Sequence, residues 1–166
     1  MDSQIVSAVI SAISLLVAMF SVRLAVHFKQ QSERLSASNI FSLHLIQVNK
    51  CLVDQPELWM AYDDHPLIKT TQATPSIIAR IDGYLHMVFN LLSATHGFYV
   101  QGIGERKMRN DDREYWEAYK NLGMEMLKSS SRARELFKHP TTQGLYPKSF
   151  VAFMNGLISK IEGDST

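Results

Sequence analysis

The stretch Ile5–Val22 reads IVSAVISAISLLVAMFSV, a run without a single charge built mainly from Ile, Val, Leu, Ala, Met and Phe. As α-helix it measures about 27 Å at about 1.5 Å per residue. That is close to the roughly 30 Å of a bilayer's hydrocarbon core. Leu24–Phe28 lengthen the span if the Arg23 side chain snorkels to the headgroups. The expectation is a transmembrane anchor over residues 1–28, with the lipid bilayer as its solvent, followed by a domain over residues 29–166. A cleaved secretory leader would carry its positive charge before the apolar run. Here Met1-Asp2-Ser3-Gln4 precede it, whereas Arg23, Lys29 and Arg34 follow. Lys and Arg near a span stay on the cytoplasmic side. This asymmetry predicts a single-pass protein with its N-terminus outside and its C-terminal domain in the cytoplasm. Five serines (Ser3, Ser7, Ser11, Ser14 and Ser21) dilute the apolar run. An interfacial or buried helix is therefore the competing reading.

Small residues within the span follow a pattern. Ser7, Ser11, Ser14, Ala18, Ser21 and Ala25 recur at spacings of three and four, which places them along one side of a helix. In lipid, helices associate through close packing and interhelical hydrogen bonds, and small side chains permit both. The stripe predicts a packing face for another transmembrane helix, from a second copy or from a partner subunit. The plainer alternative is that Ser and Ala are tolerated in a lone span, since serine hydroxyls bond back to their own helix.

Beyond the anchor the hydrophobic period is helical. Phe41, Leu45, Val48 and Leu52 mark a segment over about 32–53, and no Gly or Pro separates it from the span. Pro56-Glu57-Leu58-Trp59 reads as a short helix with proline in its first turn, ended by Asp63-Asp64-His65-Pro66. Thr74-Pro75 opens the strongest helix, with Thr74 as N-cap and Ile78, Ile81, Leu85, Val88, Leu92 and Thr95 on its inner face. Gly97, Gly102 and Gly104 punctuate its end. A helix capped by Asn110 or Asp111 carries Trp116, Tyr119, Gly123, Met126, Ala133 and Phe137 inward and stops at Pro140. A last helix holds Phe150, Met154, Leu157, Ile158 and Ile161. The expected fold class is all-α: one N-terminal transmembrane helix, then a cytoplasmic helical bundle of about four main helices.

Chemistry is sparse. Seventeen basic and sixteen acidic residues leave a net charge of +1, which gives no field to draw nucleic acid. No Glu-x-x-His or H-E-x-x-H occurs, and the single Cys51 builds neither a disulfide nor a zinc finger. No G-x-S-x-G is present, and Gly102-Ile103-Gly104 reads as a helix stop. No catalytic residue, metal site or cofactor is therefore expected, and the chain is read as not an enzyme. Asp82 and His86 stand at i and i+4. They read either as a polar-face pair or, with Tyr119, as the lining of a ligand pocket or interface. Arg106-Lys107-Met108-Arg109 reads as a solvated loop balanced by nearby acids, or as a contact for anionic lipid.

The span at 5–28, the segment Asp54-x-Pro56-Glu57-Leu58-Trp59, Trp116 and Phe150-x-x-Phe153 together resemble uncharacterised single-span bacterial membrane proteins with a helical cytoplasmic domain, the DUF4760-like group. The resemblance covers most of the chain and implies a bacterial inner-membrane setting but no activity. The expected function is that of a membrane-anchored, non-enzymatic interaction protein, an accessory or scaffold subunit of a larger membrane complex. The alternative is a membrane-tethered sensor or effector that binds a small ligand in its helical domain.

Overall fold

The computed structural model describes residues 3–164, with side chains from residue 18 onward. The described residues are helical with no strand, so the chain is all-α. Helix α1 runs Ser3–Asp54 without a break. No Gly or Pro occurs before Pro56, and α1 stops just short of that proline, as the steric restriction on the preceding residue requires.

The chain divides into two units, Met1–Ile40 and Phe41–Thr166. In the first, every described side chain from residue 18 to 31 is exposed. Ala18, Ser21 and Ala25 of the small-residue stripe are among them, while the side chains of Ser7, Ser11 and Ser14 lie outside the described residues. Among the described residues no helix is long and apolar enough to cross a membrane.

The second unit is a helical bundle centred on α3 (Pro75–His96). Its start follows the sequence: the Thr74 hydroxyl accepts the Ile77 N–H at 3.3 Å, with Pro75 at the first helical position. Ile81, Leu85, Val88 and Leu92 are buried. Thr95 is buried too, its hydroxyl donating to the Leu91 carbonyl at 2.6 Å. Phe41, Val48 and Leu52 at the C-terminal end of α1 are also buried. A 3₁₀ turn at Pro56–Ala61 buries Leu58 and Ala61, and a one-turn helix α2 (Leu67–Thr70) follows. Beside them the hydroxyls of Tyr62 and Tyr84 meet at 2.8 Å. Burial pushes both phenols up.

Past α3 the backbone loosens into a π-helical turn, Gly97–Ile103. It then reverses at Gly104, whose φ of +81° suits only glycine. A 3₁₀ turn at Glu105–Lys107 leads into α4 (Asn110–Ser129). The first turn of α4 is fastened by the Asp112 carboxylate, which accepts the Arg109 N–H at 3.1 Å, rather than by Asn110 or Asp111. Gly123 on α4 lets the helix approach α3 closely: a Cβ there would stand 3.1 Å from Leu92 Cδ1.

The long helix expected over 110–139 is two helices. Ser130 adopts an extended conformation and caps α5 (Ser131–Lys138), its hydroxyl accepting the Ala133 N–H at 3.0 Å. The break is clasped by Asp63. Its N–H donates to the Ser129 carbonyl at 2.7 Å, and its carboxylate accepts from the Ser131 N–H at 2.7 Å and hydroxyl at 2.8 Å. Pro140 ends α5 but also opens a short α6 (Pro140–Gln143). Helix α7 (Lys148–Gly163) then buries Phe150, Met154 and Ile158. Phe89, Phe137, Tyr146 and Phe150 form a ring cluster with centroids 5.1–6.4 Å apart that joins α3, α5 and α7.

Candidate functional site

The residues singled out by sequence have well-defined partners. Both Asp82 carboxylate oxygens accept from Arg132, from Nε at 2.8 Å and Nη2 at 2.7 Å. This paired fork holds the guanidinium's pKa above its ordinary value. His86 Nδ1 lies 3.3 Å from the Tyr146 hydroxyl, and its ring meets Phe89 edge-on. Burial pushes the Tyr146 phenol up to about 12. Tyr119 is buried against the Phe41 ring, 6.0 Å between centroids. Burial raises its phenol more than a hydrogen bond with Ser42 lowers it. Asp82 and His86 thus share the side of α3 that meets Arg132 and Tyr146, whereas Tyr119 packs with Phe41. None of the three bonds to another of them among the described residues. Cys51 is a half-buried free thiol. No three His, Cys, Asp or Glu side chains among the described residues are placed to hold a metal ion.

A cleft with more chemistry lies between the Glu105–Lys107 turn, α4 and α7. Its volume is about 430 Å³. Helical spacing places Arg113, Trp116, Glu117 and Lys120 on one side of α4, and all four line the cleft. Trp116 sits 5.3 Å from Phe153 of α7, the two ring planes inclined at 45°. Met108, buried at the end of the turn, adds to this apolar wall. Behind the wall, His96 is buried among Trp116, Phe150 and Phe153 at 5.1–5.8 Å. Burial pushes the imidazole below its usual pKa, and Glu105 partly offsets this.

The charges around the cleft are unequal in engagement. Lys120 Nζ lies 2.5 Å from Glu117 Oε2, so that pair largely neutralises itself. Arg106 and Arg113 line the cleft with no ion-pair partner among the described residues. Glu105 is the remaining carboxylate. An apolar wall beside two uncommitted guanidinium groups can accept a flat or oily body that carries negative charge. The sequence offered part of this site: Trp116 as an inward residue, and Arg106 in a basic loop. The roles of Arg113, Lys120 and Phe153 were not visible, because Phe153 reaches Trp116 only through the packing of α7 on α4.

Two other hollows are present. One of about 340 Å³ lies between α1 and α3, lined by His44, Val48, Met87 and Ala94 among others. One of about 250 Å³ lies beside Asp63 and Arg132. Comparison with known proteins finds no matching family model, no matching curated protein and no matching solved structure.

Proposed function

We propose that this chain is a membrane-anchored, non-enzymatic interaction protein, an accessory or scaffold subunit held in the bilayer by residues 5–28 with residues 29–166 in the cytoplasm. The observation that carries the reading is the character of α1 after residue 18. Met19, Phe20, Val22, Leu24, Val26 and Phe28 are all exposed. At about 100° per residue they spread over about two thirds of the helix circumference, and Ala18, Ser21 and Ala25 fill the remaining arc. A helix that exposes large apolar side chains over most of its circumference is suited to an apolar environment, either a protein core or lipid. The uncharged run from Ile5 to Val22 extends the same character toward the N-terminus.

In this reading the stripe Ser7, Ser11, Ser14, Ala18, Ser21 and Ala25 packs against a second transmembrane helix, from another copy or from a partner subunit. Further support for an interaction role comes from the C-terminal part of α1. Leu43, Ile46 and Val53 stand 59%, 61% and 76% exposed, and helical spacing puts them on one side of α1. Apolar side chains grouped in this way mark contact surfaces more often than isolated ones do.

The test compares the full-length chain with a variant lacking residues 2–28, each expressed in bacteria. The full chain should stay in the membrane pellet after alkaline carbonate washing, and the shortened chain should not. Release of the full chain by carbonate overturns the anchor. Ser11→Leu with Ser14→Leu should then reduce recovery of the associated complex in mild detergent without releasing the chain from the membrane. Unchanged recovery would leave the anchor in place and remove the packing face.

A further inference from the structure

We propose that the cleft between the Glu105–Lys107 turn, α4 and α7 binds a small amphipathic anion, a flat apolar ring or short apolar chain ended by a phosphate or carboxylate. The inference does not rest on the membrane anchor, since every residue it uses belongs to the unit Phe41–Thr166.

Three features select this class of ligand. The size is suitable, because about 430 Å³ lies within the roughly 300–1,000 Å³ common for small-molecule sites. The wall is apolar: Trp116 and Phe153 stand in ring contact at 5.3 Å with their planes inclined at 45°, and Met108 lines the same cleft. A bare inorganic ion would leave that wall facing water. The sign of charge comes from the arginines. Arg106 and Arg113 both line the cleft and neither is committed to a carboxylate among the described residues, whereas Lys120 is held by Glu117. A guanidinium fork matches the oxygens of a phosphate or carboxylate in paired hydrogen bonds. The Asp112 carboxylate does not line the cleft; it accepts the Arg109 N–H at the start of α4. Glu105 disfavours a ligand of high negative charge, which points to a single charged group on an apolar body. An apolar cation would meet two guanidinium groups and one carboxylate, and is excluded by like charge.

The ligand's phosphate could be that of a free metabolite-sized anion or of a lipid headgroup, and the experiment separates the two. The protein is the full-length chain in zwitterionic micelles carrying Trp59→Phe, which leaves Trp116 as the one tryptophan. Phenyl phosphate is titrated while Trp116 emission is followed. A saturable change is expected, at least about tenfold tighter than with inorganic phosphate and absent with benzylamine. Arg106→Gln combined with Arg113→Gln should raise the apparent Kd at least about tenfold, since each removes a charge-assisted contact. Both side chains are exposed, so the double variant keeps its fold, which its circular dichroism spectrum will check. The proposal is overturned if no saturable change occurs, if benzylamine reproduces it, or if it survives the double replacement. Vesicles of phosphatidylcholine with and without phosphatidylglycerol then identify the source. Competition with phenyl phosphate by the anionic vesicles alone assigns the cleft to a headgroup, and lack of competition assigns it to a free anion.

Discussion

Replacing Asp63 with Ala should loosen the joint between α4 and α5. The Asp63 carboxylate accepts from the Ser131 N–H at 2.7 Å and from the Ser131 hydroxyl at 2.8 Å. A typical protein hydrogen bond contributes about 0.5–1.5 kcal/mol net. Both of these face solvent, so the lower half of that range applies and the pair together should be worth about 1–2 kcal/mol. In a body of this size that corresponds to a fall in Tm of about 4–8 °C. The Asp63 N–H keeps its bond to the Ser129 carbonyl in the variant, so the turn should survive and unfolding should stay cooperative. Asp64 next door is the control: it is exposed, and Asp64→Ala should stay within about 0.5 kcal/mol of the parent. Asp63→Asn keeps one acceptor oxygen and should fall between the two. The measurement is thermal unfolding of the full chain in neutral micelles, followed by far-ultraviolet circular dichroism. If Asp63→Ala melts within about 1 °C of Asp64→Ala, then Ser129–Ser131 break the helix without help and the clasp is ornamental.

Two further outcomes follow from the core. Phe137 is fully buried and touches the rings of Phe89, Tyr146 and Phe150. Phe137→Ala should cost about 3–5 kcal/mol, a large part of a total near 5–15 kcal/mol, and a urea midpoint unchanged from the parent would refute the packing. Stability should also decline toward both ends of the pH scale. The folded His96 pKa lies below its unfolded value of about 6.5, so its share of stability is intact above about 6.5 and is lost as pH falls through the folded value. His96→Phe should flatten that limb of the urea midpoint against pH; a parallel curve would show that His96 does not cause it. Tyr99 and Tyr146 are pushed up to about 12 by burial, so stability should hold up to about pH 10 and fall as pH climbs toward 12.

Legibility in the sequence tracked the range of the interactions. The unbroken α1 follows from the lack of Gly and Pro before Pro56. The start of α3 follows from Thr74-Pro75, and its inner face from spacings of three and four, because caps and periodicity act within a few residues. Ile78 kept the period yet is 37% exposed, since the bundle does not cover the first turn of α3. The split between α4 and α5 was hidden. Ser130 supplies a local cap, but the joint is fastened by Asp63, which lies 68 positions away from Ser131. Asp82 was legible as a polar residue near His86, but Arg132, fifty positions on, was not legible as its partner. The cleft at Trp116 needed Phe153 from another helix, and no spacing within α4 announces that.

The missing side chain at Gly123 also governs which motions this bundle permits. With Leu92 seated so closely over it, sliding α4 along α3 by one turn would bring Tyr119 or Met126 under the leucine, where neither fits. The pair is indexed like a key in a notch, and shear between these helices is blocked. Rearrangements of the body must instead pivot where the backbone is already irregular, at Gly97–Ile103 and at Ser130.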